Sequence, residues 1–118
     1  MGVPHTIVFI ESLDEDELIS IGKQIEKHPS FPNGTNVNFV TVMNDHEISV
    51  RTWERGAGRT LACGTGSCAS AVASALNGLT GNKVTVHLAL GDLFIETIDG
   101  IVYMTGSANH VFAGEVDI

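Results

Sequence analysis

The chain has 118 residues, a net charge of −8 and six basic side chains, and this length suits one domain with its own core. The basic residues form no stripe, so the composition excludes binding to a nucleic-acid backbone and docking on an anionic membrane. No apolar run approaches the ~20 residues that span a bilayer. No charged segment followed by an apolar run opens the chain, so we expect no signal peptide. We therefore expect a soluble, cytoplasmic protein.

The first half of the chain predicts a strand, a helix and a β-hairpin. A β-branched run indicates the strand, and Ser12 with Glu15 has the spacing of a capping box at the start of the helix. Leu18, Ile21 and Ile25 recur at helical spacing and predict a buried face. The predicted bounds are 6–10 for the strand, 12–27 for the helix, and 36–42 and 47–54 for the hairpin.

The second half predicts one more helix followed by strands. The helix is made almost wholly of Ala, Ser, Val and Leu and has no charged face, which is typical of a helix that is buried on every side. Asp99 and Gly100 form a strong hairpin signal. The predicted bounds are 69–79 for the helix and 83–89, 93–98, 101–105 and 111–116 for the strands. We expect a single α+β domain, residues 1–118, in which a mostly antiparallel, curved sheet or barrel wraps around one buried central helix.

A glycine-rich segment between these halves ends in Cys63-Gly64-Thr65-Gly66. The N-terminus of a helix carries a partial positive charge, and glycines let a ligand approach its N–H groups. Such an end binds a carboxylate or phosphate and stabilises a neighbouring thiolate. The alternative is an inert buried cysteine before a helix, with glycines that serve a tight turn.

The other candidate metal or redox residues give weaker signals. The two cysteines, Cys63 and Cys68, are too few for a disulfide scaffold, and their C-x4-C spacing differs from that of zinc ribbons. The five histidines are scattered and form no H-x3-H unit. The sequence therefore predicts no metal site.

The segment 53–69 (WERGAGRTLACGTGSCA) resembles the second-half signature of diaminopimelate epimerases. Similar stretches lie at 1–5 (MGVPH), 31–32 (FP), 35–39 (TNVNF), 83–88, 91–93 and 102–106, so the resemblance covers essentially the whole chain. Proline racemases and phenazine-pathway isomerases share this fold, and proline racemases have a similar C-G-T-G turn. The ERGAG segment favours the epimerase.

The resemblance implies inversion of an amino-acid α-carbon without cofactor or metal, between LL- and meso-diaminopimelate, on the route to lysine and peptidoglycan. Two cysteines face each other across the substrate: one removes the α-proton as a thiolate, and the other donates a proton to the opposite face. No lysine lies near the glycine-rich loop, which agrees with a reaction that uses no pyridoxal phosphate.

The resemblance also implies a role for particular residues. Cys63 is one of the catalytic pair, and the N–H groups of Gly64 and Thr65 hold the reacting carboxylate. The residues implied to bind the distal end of the substrate are Asn36, Glu54 and Arg55. The residues implied to set the thiol pKa values are His5 and Glu54.

Each implied role has a structural alternative. The alternative for His5 is a hydrogen-bonded side chain at a strand start, and the alternative for Asn36 is an ordinary strand-edge or turn residue. The alternative for Glu54 with Arg55 is a surface pair. Cys68, inside the predicted helix, is interpreted as a packing residue. His87, on one face of a strand, is interpreted as structural.

The chain departs from the family pattern in two ways. Val3 stands where many members have asparagine, which removes or replaces a substrate contact. The second cysteine belongs to an N-terminal domain that we expect this chain to lack, so it would act with that domain or as a homo-oligomer and be inactive alone. The alternatives are a non-catalytic binding or assembly domain of the same fold, and half of a proline-racemase-like enzyme.

Overall fold

The computed structural model describes residues 5–56, 58–60, 64–89, 91–106 and 111–115, of which 59, 60 and 111–115 are described by their backbone alone. The helices are α1 (Glu15–Glu26) and α2 (Gly64–Leu76). The strands are β1 (His5–Phe9), β2 (Asn36–Asn44), β3 (Glu47–Glu54), β4 (Gly58–Thr60), β5 (Lys83–Leu88), β6 (Gly91–Ile98), β7 (Ile101–Gly106) and β8 (Val111–Glu115). Neither helix in these ranges is long and apolar enough to cross a membrane.

The strands form one mixed sheet in the order β1-β2-β3-β5-β6-β7-β8, and β4 pairs with β3 off this path. β1 is parallel to β2, and β3 is parallel to β5, while the remaining pairs are antiparallel. Helix α2 packs against β1, β2, β3, β5 and β6, so the sheet curves around it. The predicted α+β class is confirmed.

Helix α2 lies over the larger of the two hydrophobic clusters that the described side chains form. On the sheet side this cluster contains Val40, Ile48, Val50, Val84, Val86, Ile95 and Val102, and on the helix side Cys68, Ala71 and Val72. Small helical residues let the strands approach closely, and no charge is buried with them. Val37, Phe39 and Trp53, which point away from this cluster, pack against α1 instead.

Helix α1 covers the opposite face of β2 and β3. Leu18 packs there with Val37, Phe39 and Trp53. The Trp53 indole lies against Gly22, where a Cβ would come within 2.6 Å of Trp53 Cγ. On this face of β3 Trp53 is therefore buried, whereas Glu47, Ser49 and Arg51 are partly exposed, in agreement with the alternation of apolar and polar residues in its sequence.

The N-terminus of α1 is capped by Asp14, not by Ser12. Asp14 Oδ1 accepts a hydrogen bond from the backbone N–H of Glu17 at 2.8 Å. The predicted capping box of Ser12 and Glu15 is therefore wrong. Aspartate is itself a strong N-cap residue, and Glu15 is already helical. The other end agrees with the prediction, since Lys27 is the C-cap.

Helix α2 begins five positions earlier and ends three positions earlier than the predicted range 69–79. Glycine and serine have low helix propensity, but burial against the sheet outweighs that preference. Ser70 Oγ and Ser74 Oγ donate to the carbonyls of Gly66 and Ser70, at 2.7 and 2.8 Å, which satisfies both buried hydroxyls. The expectation of burial on every side is wrong at the C-terminal end, where Leu76 is 72% exposed.

His87 connects three strands through two carboxylates. Its Nε2 lies 3.0 Å from Glu47 Oε1 on β3, and its Nδ1 lies 2.8 Å from Asp92 Oδ1 on β6. The hydrogen bonds to Glu47 and then Asp92 raise the pKa of His87 above its ordinary value of 6.5. The interpretation of His87 as a structural residue agrees with this geometry.

We expect the free energy of unfolding to fall as the pH rises through the folded-state pKa of His87. The folded pKa is raised, so protonated His87 stabilises the fold fully below pH 6.5 and that contribution disappears above the folded value. Urea unfolding at about pH 5.5 and about pH 8.5 measures the difference.

In His87→Gln the difference in the free energy of unfolding between the two pH values should be smaller than in the wild type. Lys83→Gln, on the same strand, should retain it because lysine does not titrate in this range. An equal pH dependence in wild type and His87→Gln would contradict the assignment.

Candidate active site

Polar side chains gather on the α2 face of the sheet, where β1 and β2 begin and β3 ends. Ile7, Val40 and Val50 belong to or pack on the cluster under α2. Strand side chains alternate between faces, so residues an even number of positions away point the same way. These residues are His5 on β1, Asn36 and Asn38 on β2, and Thr52 and Glu54 on β3.

Arg55 is held by the loop that leads into β2. Its backbone N–H donates to Asn36 Oδ1 at 2.7 Å, and its Nη1 donates to the Asn33 carbonyl at 2.7 Å. Its aliphatic stem lies across Gly34, where a Cβ would come within 2.7 Å of Arg55 Cδ. Gly34 has φ +81°, a conformation that glycine adopts at little cost. The loop thus accommodates Arg55 because this position lacks a side chain.

His5 lies between a buried amide and an acidic residue. Its Nδ1 is 3.2 Å from Asn38 Nδ2, and Asn38 Oδ1 accepts the hydroxyl of Thr52 at 2.9 Å. Burial lowers the pKa of His5 below its ordinary value, and the charge of Glu54 opposes this shift. His5 pairs with Asn36, and Glu54 follows Trp53, the partner of Val37, so these two predicted site residues lie at the same level of the sheet across β1, β2 and β3.

Gly64 and Thr65 form the start of α2, where a loop was predicted. No acidic side chain lies in this first turn, so nothing there opposes an anion at the positive end of the helix. Gly64 is four positions after Thr60, which pairs with Thr52. Gly64 and Thr60 therefore lie within about 15 Å of each other. The start of α2 therefore lies in the neighbourhood of β4, the strand that pairs with β3.

Two residues of the sequence predictions, Cys63 and Val3, lie outside the described residues. In the chain Cys63 directly precedes Gly64, the first residue of α2. Cys68 lies in the second turn, where it is 8% exposed and its Sγ is 3.8 Å from Met104 Sδ. This position agrees with the interpretation of Cys68 as a packing residue.

The sequence predictions missed Asn38 and Thr52. Asn38 is fully buried and Thr52 is 2% exposed, although both are polar. The sequence did contain an indication for Asn38, which follows Asn36 by two positions on a strand and therefore lies on the same face. Two asparagines in a strand do not by themselves indicate a buried network of hydrogen-bonded polar side chains.

The fold resembles that of solved phenazine biosynthesis proteins of the PhzF family. The Bacillus anthracis protein superposes with a TM-score of 0.66 at 22% identity, over 90% of this chain and 35% of that one. The Enterococcus faecalis protein gives a TM-score of 0.67 at 16% identity, over 87% of this chain and 37% of that one. At such identities the likeness defines the fold class alone.

Sequence comparison defines the family. The family profile described as diaminopimelate epimerase matches residues 1–111. The chain is 55% identical to the diaminopimelate epimerase of Pelotomaculum thermopropionicum over 116 residues, and 53% identical to that of Moorella thermoacetica over 117. These alignments cover 98% of this chain but only 41% and 42% of the relatives. The chain belongs to the diaminopimelate epimerase family and spans about two-fifths of the length of these relatives.

Proposed function

We propose that this chain is the C-terminal domain of a cofactor-independent diaminopimelate epimerase, an isomerase of lysine biosynthesis, and that Cys63 is one of its two acid/base residues. The observation that carries the proposal is the start of α2 at Gly64, directly after Cys63 in the chain, with no acidic side chain in its first turn. The positive end of a helix favours a thiolate over a thiol in the residue beside it. A thiolate is the form that removes a proton.

The proposed reaction exchanges one proton for another. The Cys63 sulfur and the sulfur of a second cysteine lie on opposite faces of the substrate α-carbon. The thiolate takes the α-proton and becomes a thiol as the electron pair remains on carbon. The other thiol then donates its proton to the opposite face and becomes a thiolate. The carbon is inverted, and neither a cofactor nor an oxidant is needed.

The reacting carboxylate would be bound at the first turn of α2. Carboxylates bind favourably at helix N-termini, where N–H groups and the helix dipole act together. We assign the backbone N–H groups of Gly64 and Thr65 to this role. The charge that develops on the substrate during proton removal would be stabilised by the same end of the helix.

The distal amino-acid end of diaminopimelate suits the cluster around Arg55. A guanidinium has several N–H donors, so the contact with the Asn33 carbonyl leaves Arg55 able to bind a carboxylate. Glu54 would accept from the distal ammonium, and Asn36 would fix the backbone of Arg55 through the bond at 2.7 Å. Glu54 and His5 would also adjust the thiol pKa values.

The second cysteine would come from an N-terminal domain of the kind that makes up the rest of the full-length relatives. A two-base inversion needs an acid on the face opposite the base, so we expect this chain alone to be inactive. Mixing it with the N-terminal part of the relative that is 55% identical to this chain should restore the site.

Incubation of LL-diaminopimelate in deuterium oxide tests the proposal. We expect no deuterium at the α-carbon with this chain alone, and deuterated meso product with the two halves together. L-Proline is the matched control substrate and should exchange in neither case. Exchange by the chain alone would contradict the two-domain assignment, and so would two halves that bind each other and do not exchange. Exchange of proline in place of diaminopimelate would indicate a proline-racemase-like enzyme.

A further inference from the structure

A chain of polar groups crosses β1, β2 and β3 beneath α2. Asn38 is fully buried and Thr52 is 2% exposed. The hydroxyl of Thr52 donates to Asn38 Oδ1 at 2.9 Å, and Asn38 Nδ2 lies 3.2 Å from His5 Nδ1. A buried amide is costly unless its groups are bonded, so these contacts are strong constraints on its orientation.

The direction of these hydrogen bonds determines the protonation of His5. Asn38 Oδ1 faces Thr52 and Asn38 Nδ2 faces His5, so the Thr52 hydroxyl donates to the amide oxygen and the NH2 group is directed at His5. An NH2 group only donates, and therefore the Nδ1 atom of His5 must accept. The proton of the neutral ring is then on Nε2.

We propose that Asn38 is a positioning residue that holds His5 as the neutral tautomer with its proton on Nε2. Its role rests on the proposed function: a ring in this state donates from Nε2 to an anion such as a thiolate or a carboxylate. It does not remove a proton through Nδ1, which is bonded to Asn38. Among the described residues the charge that acts on His5 is that of Glu54, and no acidic side chain lies in the first turn of α2.

Substitution of Asn38 by aspartate is expected to reverse the tautomer. The two side chains have nearly the same shape, but a carboxylate only accepts. Asp at this position still accepts from Thr52 and now accepts from His5 Nδ1–H, so the proton moves to Nδ1. A carboxylate partner also favours the imidazolium, so the pKa of His5 rises.

Long-range proton–nitrogen correlation spectra of the nitrogen-15-labelled chain measure both quantities. In the wild type at a pH where His5 is neutral, Nδ1 should show the shift of an unprotonated ring nitrogen and Nε2 that of a protonated one. In Asn38→Asp the two shifts should exchange. A wild-type proton on Nδ1, or an unchanged tautomer in Asn38→Asp, would overturn the proposal.

Two further variants keep the test decisive. Asn77→Asp makes the same change at an exposed residue of the α2 C-terminus and should leave His5 unchanged. If Asn38→Asp does not fold, Asn38→Leu removes the amide at similar size, and both tautomers should then be populated. A single Nε2–H tautomer in Asn38→Leu would refute the role of Asn38. The spectra need no substrate, so the outcome is independent of whether the proposed epimerase activity is found.

Discussion

Cys63→Ser is expected to lower deuterium exchange at the α-carbon of diaminopimelate by about 10³-fold in the enzyme assembled from both halves. A serine hydroxyl stays protonated at neutral pH even at a helix N-terminus, so the base on one face of the substrate is lost. Exchange should fall in both directions, since each cysteine is the base in one direction and the acid in the other. Initial rates from LL- and from meso-diaminopimelate measure this effect.

Cys68→Ala is the matched control for Cys63→Ser. Cys68 is in the same helix and is 8% exposed, with its Sγ 3.8 Å from Met104 Sδ. Alanine fits a helix made of small residues, so exchange should stay within a few-fold of the wild type. A similar loss in both variants would show that the effect comes from packing of α2 and would contradict the assignment of Cys63 as the base.

Arg55→Leu is expected to raise the KM for diaminopimelate by about 10²-fold, with a smaller change in kcat. Removal of a charged donor leaves a substrate carboxylate unpaired, which costs about 1.5–3 kcal/mol. The distal end of the substrate does not react, so loss of its contact with Arg55 weakens binding of the ground state and of the transition state alike. Steady-state kinetics of the assembled enzyme separate the two parameters.

Gly34→Ala should give part of the same effect without changing Arg55 itself. A Cβ at this position would come within 2.7 Å of Arg55 Cδ, and alanine is strained at φ +81°. The guanidinium is therefore displaced from its contact with Asn33.

Arg51→Leu is the control for charge and size, because Arg51 lies on the α1 face of β3 and its charge acts on Asp14. A KM increase in Arg51→Leu equal to that in Arg55→Leu would indicate a general effect of lost positive charge.

Much of the fold could be predicted from periodicity and turn chemistry. The β3 strand was predicted with its observed bounds, and the Asp99-Gly100 turn adopts positive φ at both residues, 50° and 80°, as a tight hairpin requires. These features are local, because each depends on neighbouring residues in the chain. The family was also recognisable from sequence, since the glycine-rich segment and its flanks resemble diaminopimelate epimerases over nearly the whole chain.

The limits of α2 were decided by tertiary packing. Propensity placed its start at Ala69, but the helix begins at Gly64, and Gly66, Ser67 and Cys68 in this added part are buried in the fold. The same packing leaves Leu76 72% exposed at the other end. No window of sequence contains this information, since it depends on how far the strands extend along the helix.

The sequence by itself determined the residue types of the candidate site and the class of chemistry they suit. Only the tertiary structure decided which of these residues contact each other. Asn38, Thr52 and His5 are far apart in the chain, and the β1–β2–β3 register joins them into one hydrogen-bonded path. This path determines which ring nitrogen of His5 carries the proton. Whether Nδ1 donates or accepts depends on the group that it contacts, and that group belongs to another strand.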